Sequence, residues 1–147
     1  MNKTKKGKIR WGLFVGIVLC ISIFAGTIYV FNEIFPKAKA IQLPERGDII
    51  SVSLSCNTSD MIVTIREENY EKLLPYIGEA EPTRKQAMDD YPTVRLYYGI
   101  SIQTTEREYR CFVYEENGEI CVESPYEGIY RAQEPLLDLI LTYYQAY

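Results

Sequence analysis

The chain begins with one long apolar block and then changes rhythm. Residues 11–31 are twenty-one uncharged, mostly apolar positions, enough at 1.5 Å of rise each to cross a bilayer core of about 30 Å. Twelve of them are Leu, Ile, Val or Phe, which favours insertion by on the order of −4 to −7 kcal/mol; Ser22, Thr27 and three glycines offset part of it. Residues 11–32 are therefore predicted to form a transmembrane helix.

Downstream the period shortens to two and later returns to 3.6. Residues 48–56 alternate, with Ile50, Val52 and Leu54 on one face, and read as a strand. Asn57-Thr58-Ser59-Asp60 is a turn cluster, and 61–66 is a second strand, so the two form a hairpin. Residues 67–77 carry Tyr70, Leu73, Leu74 and Ile77 at helical spacing, and Pro75 is expected to kink or shorten the last turn. Residues 78–92 are polar and read as a loop with one short helical turn. Residues 94–104 are the longest strand candidate. Residues 108–114 and 119–122 flank Asn117-Gly118, a strong hairpin signal. Residues 124–128 read as a turn. Residues 135–147 close the chain as a helix, with Pro135 at its first position and Leu136, Leu137, Leu139, Ile140, Tyr143 and Tyr144 on a broad apolar face. Hairpins plus two helices, without regular strand–helix alternation, predict an α+β domain: a small antiparallel sheet with two helices packed on one face.

Charge divides the chain as the apolar pattern does. The first forty residues carry seven Lys/Arg and one acid; residues 41–147 carry nine Lys/Arg and nineteen Asp/Glu. Lys3, Lys5, Lys6, Lys8 and Arg10 precede the apolar block, so basic residues hold the N-terminus in the cytoplasm and send the rest outside. The expected organisation is a cytoplasmic basic tail (1–10), a signal-anchor helix (11–32), a short tether (33–47) and an extracytoplasmic domain (48–147). Ala38-Lys39-Ala40 opens an alternative, secretion after cleavage following Ala40, although the apolar run is longer than a secretory core usually is. Cys20 lies mid-helix and lacks a lipoprotein context. Gly12 and Gly16 have the spacing that lets two membrane helices approach, so the oligomeric state stays open.

Cys56, Cys111 and Cys121 fall in the outer domain. With Asn117-Gly118 as a two-residue turn, Cys121 lies opposite Tyr114 and Cys111 opposite Ser124, which puts the two thiols on opposite sheet faces. Cys56 with either one stays open, as do three packed free thiols.

The chain has no histidine. That removes Ser-His and Cys-His nucleophile pairs and most zinc sites. No Gly-rich phosphate loop and no nucleophile motif is present. The prediction is a non-enzyme with no metal, no cofactor and no nucleic-acid partner, bound to the bilayer through residues 11–32. Two segments stand out: Pro82-Thr83-Arg84-Lys85-Gln86 followed by Asp89-Asp90-Tyr91-Pro92, and Glu123-Ser124-Pro125-Tyr126-Glu127-Gly128-Ile129-Tyr130. Arg84, Glu123, Tyr126 and Tyr130 are the candidate residues of an aromatic-lined groove with one basic group. The competing account is that they pin a loop and the lead-in to the last helix onto the sheet.

With these motifs in view, residues 41–144 resemble a family of small membrane-anchored or lipoprotein-like proteins of unknown function from Gram-positive bacteria. The resemblance implies an extracytoplasmic accessory domain and a bacterial source; it brings no activity, and the cysteines are not part of its pattern. The expected function is a membrane-anchored binding module for an envelope protein or peptide. The alternatives are a carboxylate-based envelope hydrolase and an immunity or inhibitor protein with an acidic surface. A reporter fused behind Tyr147 is expected to be digested by protease added to spheroplasts; protection would invert the topology.

Overall fold

The computed structural model describes residues 4–146, with side chains from residue 11 onward; residues 1–3 of the basic tail, and Tyr147 of the closing helix, lie outside them. The chain divides into two compact units, Met1–Pro36 and Lys37–Tyr147. The first is helix α1 (Thr4–Ile34). Its stretch Trp11–Ile34 is long and apolar enough to cross a membrane, a property that a signal sequence shares. Ser22 and Thr27 donate their hydroxyls to the carbonyls of Val18 and Ile23, at 2.9 and 2.8 Å. The helix thus satisfies its own polar side chains inside the apolar run.

The second unit is α+β. Its strands are β1 (Ile49–Cys56), β2 (Ser59–Ile65), β3 (Glu81–Pro82), β4 (Tyr98–Thr104), β5 (Glu108–Glu116), β6 (Glu119–Ser124) and β7 (Gly128–Ala132). They form one sheet in the order β2-β1-β4-β5-β6-β7-β3, every neighbouring pair antiparallel. Helices α2 (Tyr70–Gly78) and α3 (Pro135–Gln145) complete it. Alternation along the strands makes one face apolar: Val52, Leu54, Ile100, Ile102, Val113 and Val122 are buried there. Leu73 and Ile77 of α2 and Leu136 and Ile140 of α3 join the same core. Each such side chain, fully buried, contributes roughly 1.5–3 kcal/mol. The free edge at β2 is blunted at Met61, whose N–H donates to Ser59 Oγ (3.1 Å) and whose carbonyl accepts from the Tyr144 hydroxyl (2.8 Å).

The path of the chain matters for the site. After β2 the chain forms α2 over the apolar face, reaches the opposite edge as β3, and returns to the sheet centre as β4. The return segment, residues 83–97, covers the other face, where Tyr91 and Tyr97 set their rings on Phe112.

Asn117 and Gly118 have φ of 55° and 78°, the positive pair that a two-residue I′ hairpin requires. The register puts Tyr114 opposite Cys121, and Cys111, Cys121 and Cys56 are all free and buried. Other boundaries differ from expectation. The helix expected over 67–77 opens as a 3-10 turn, Glu67–Asn69, before α2, which retains Pro75 inside it. The strand expected from 94 starts at Tyr98, because 83–97 is committed to covering the sheet. β7 was not expected; Gly128 opens this strand and does not merely close a turn.

Residues 37–43, read from sequence as tether, belong to the folded unit. Ala38 N–H donates to the Thr83 carbonyl at 2.9 Å, and Ile41 and Leu43 pack against the core. Gly128 makes this close approach possible: it has φ of +154°, and a Cβ there would sit 2.5 Å from the Ala38 Cβ. Gly128→Ala is therefore expected to destabilise the domain by about 2 kcal/mol. Ala38→Gly in the same chain should restore part of that loss, a coupling that urea denaturation of the four combinations will measure.

Candidate functional site

The face opposite the helices is the chemically distinct one. β5 and β6 bring Phe112, Tyr114, Cys121 and Glu123 to it, and all four are buried. Ala87 and Pro92 of the covering segment are buried as well. Beneath it the Tyr114 hydroxyl donates to Glu123 Oε2 at 2.9 Å. Burial pushes the Glu123 carboxyl above the usual carboxylate range; the Tyr114 hydrogen bond opposes this, and the carboxylates of Asp89 and Glu116 add to it. Tyr114 is pushed up too, by burial first and then by its bond to Glu123. Glu123 is only 6% exposed, so it braces the sheet from within. Lys85 Nζ lies 2.6 Å from Glu116 at the margin of this face. Among the described residues, no group of three His, Cys, Asp or Glu is placed to hold a metal ion.

Above the buried pair stands the turn between β6 and β7. Glu127 N–H donates to the Ser124 carbonyl at 3.1 Å, closing a turn with Pro125 second and Tyr126 third. Pro125 presets its own φ, and the third position of a type II turn needs a positive φ, ordinarily supplied by Gly or Asn. Here it is Tyr126, at φ 62°. Its ring is 68% exposed, and its hydroxyl donates to Asp90 Oδ1 at 2.8 Å. Turn and covering segment are thereby tied together across the top of the site. Met88, Tyr91 and Leu96 of the covering segment are also exposed.

The four residues singled out from sequence do not form one groove. Arg84 is exposed on the covering segment. Glu123 is enclosed beneath that segment, and Tyr126 stands exposed above it. Tyr130 is opposite Val122 in the ladder, on the helix-covered face, 1% exposed, with its hydroxyl donating to the Lys39 carbonyl at 2.8 Å. Its role is to hold the 37–43 segment, since β7 turns it inward. Sequence reasoning missed Tyr114, Phe112 and Asp90 as members of the site. For Tyr114 the signal existed: the Asn117-Gly118 register places it diagonally beside Glu123.

A family model described as a domain of unknown function (DUF5300) matches residues 37–131, starting where the folded unit starts. The NMR structure of a protein from Ruminococcus gnavus is 31% identical, covering 63% of this chain and 91% of that one with a TM-score of 0.54. No curated protein matches.

Because the folded state raises the Glu123 pKa, it binds this proton more tightly than the unfolded chain does. The associated stability is complete below the unfolded carboxyl value of about 4.3 and is lost as pH rises through the raised folded value. Glu123→Gln is accordingly expected to melt higher than the native chain at pH 7, with the difference shrinking toward pH 4. An unchanged difference across that range would remove the carboxyl from the pH dependence.

Proposed function

The chain belongs to this family of domains of unknown function (DUF5300), and on that premise we propose that it is a membrane-anchored recognition module. In this proposal α1 spans the membrane of a Gram-positive bacterium with its N-terminus inside. The folded unit stands outside and binds an envelope protein or peptide without catalysing a reaction on it. The observation that carries the reading is Tyr126. A non-glycine residue held at positive φ costs about 1–2 kcal/mol, yet here it presents a large amphipathic ring to solvent with its hydroxyl fixed by Asp90. Strain retained at an exposed aromatic is a mark of function, because a glycine would serve the turn better. Met88 and Tyr91, close to Asp90 in the chain, add exposed surface there, and rigid aromatic rings give contact area at low entropic cost. Binding is favoured over catalysis because Glu123, whose carboxyl burial pushes above the usual carboxylate range, is enclosed.

The test separates fold from function. Tyr126→Gly is expected to leave the melting temperature equal or higher, since glycine relaxes the turn. It should abolish capture of the partner when full-length chains are cross-linked in intact membranes and their partner profiles compared. Identical profiles from native and variant chains would count against the surface. Tyr130 is unsuitable for this experiment, because its truncation opens the core.

A further inference from the structure

β5 extends beyond its partner. In the β5–β6 ladder, Phe112 pairs with Glu123, Tyr114 with Cys121 and Glu116 with Glu119. A two-residue I′ hairpin makes Glu116–Glu119 a hydrogen-bonded pair, so alternate residues 114, 112, 110 and 108 aim their N–H and C=O toward β6. The next partner in register, opposite Arg110, is Pro125. Proline has no N–H to give the Arg110 carbonyl, and the chain has already turned away there. β6 ends at Ser124, and among the described residues no backbone bond joins Arg110 or Glu108 to the turn. A short stretch of internal strand edge is thus left open.

A cleft of about 230 Å³ lies at this gap, lined by Ile41, Leu43, Ile102 and Pro125 on the apolar side and by Arg107 and Glu127 among its polar margins. The Glu108 and Arg110 side chains are engaged with each other and with Ser101. Arg107 stacks its guanidinium 4.1 Å from the Tyr109 ring centroid and donates to that hydroxyl at 2.8 Å, which orients it at the rim. The Glu127 carboxylate accepts from Ser124 Oγ at 2.7 Å.

We infer that this cleft binds an extended peptide segment as a short extra strand on β5, taking one apolar side chain against Ile41, Leu43 and Ile102 and one acidic side chain at Arg107. The open edge asks for a partner with alternating backbone donors and acceptors, which an extended peptide supplies. The guanidinium selects the acid. The proposal goes beyond the aromatic surface, since Tyr126 does not line the cleft, and the two fail separately.

The probe is a fluorescein-labelled, end-capped peptide alternating valine and glutamate, titrated onto the full chain in detergent micelles. Two versions N-methylated on alternate amides, one for each register, and a valine–lysine version are the comparisons. The valine–glutamate peptide is expected to bind, one N-methylated register and the lysine version to bind about tenfold more weakly or worse, and Arg107→Ala to weaken binding about tenfold. Hydrogen exchange should show new protection at the Arg110 amide. No binding at millimolar peptide, equal binding by both N-methylated registers, equal binding of the lysine version, or protection elsewhere would each overturn it. The peptide comparisons hold even if the Arg107 variant misfolds.

Discussion

The pairing of β1 with β4 governs this domain. Val52 and Leu54 meet Ile102 and Ile100 at the sheet centre, yet the two strands are separated by β2, α2, β3 and a long return segment. The chain between Cys56 and Tyr98 pairs as β2 at one edge and as β3 at the other, and must return to the centre without breaking that ladder. The chain does so by passing over one face as a helix and back over the other as an irregular cover. Both faces are thereby covered by a single excursion, and the main apolar cluster lies on the helix side. Long-range pairing of this kind carries a loop-closure penalty, which the apolar layer formed by α2, α3 and the sheet offsets.

The cover explains the character of the opposite face. Helices require an apolar partner, whereas a loop must satisfy its backbone and brings polar side chains with it. The result is a mixed layer in which Phe112 packs on tyrosine rings while Glu123 and Tyr114 share a proton-bearing contact below them. Where the cover meets the β6–β7 turn, Tyr126 and Asp90 join the two segments at the surface. The same turn, by placing Pro125 opposite Arg110, ends the β5–β6 ladder early. Two surface features of different chemistry thus arise from four residues of chain.

Much of this was legible in the residues. Asn117-Gly118 fixes a hairpin register because only certain residues tolerate paired positive φ, and the register then places Cys121 against Tyr114 without further information. Alternation in Val52 and Leu54 and the 3.6 spacing of Leu136 and Ile140 announce the core. What escaped was whatever depends on distant segments. β7 is five residues long, and its burial comes from lying between β6 and β3, which nothing local encodes. Tyr130 therefore looked like a groove residue until the ladder turned it inward. Residues 37–43 have no periodicity, and their docking depends on distant partners: the bare Gly128, the Thr83 carbonyl and the Tyr130 hydroxyl. The candidate site was half visible: Tyr126 and Glu123 were among the residues singled out, but their separation by the covering segment is a tertiary fact.

The three thiols of the folded unit have a consequence wherever the protein meets oxidising conditions. Cys111 and Cys121 sit on opposite faces of one sheet, and burial pushes the Cys111 thiol up to about 12. Folded, the domain keeps all three sulfurs buried and unpaired, where oxidants have little access to them. Once denatured, the same molecule releases all three sulfurs together, free to pair wrongly with each other or with neighbours. Under oxidising conditions loss of structure then becomes a one-way event, and the lifetime of the protein is set by how rarely it opens rather than by how favourably it recloses.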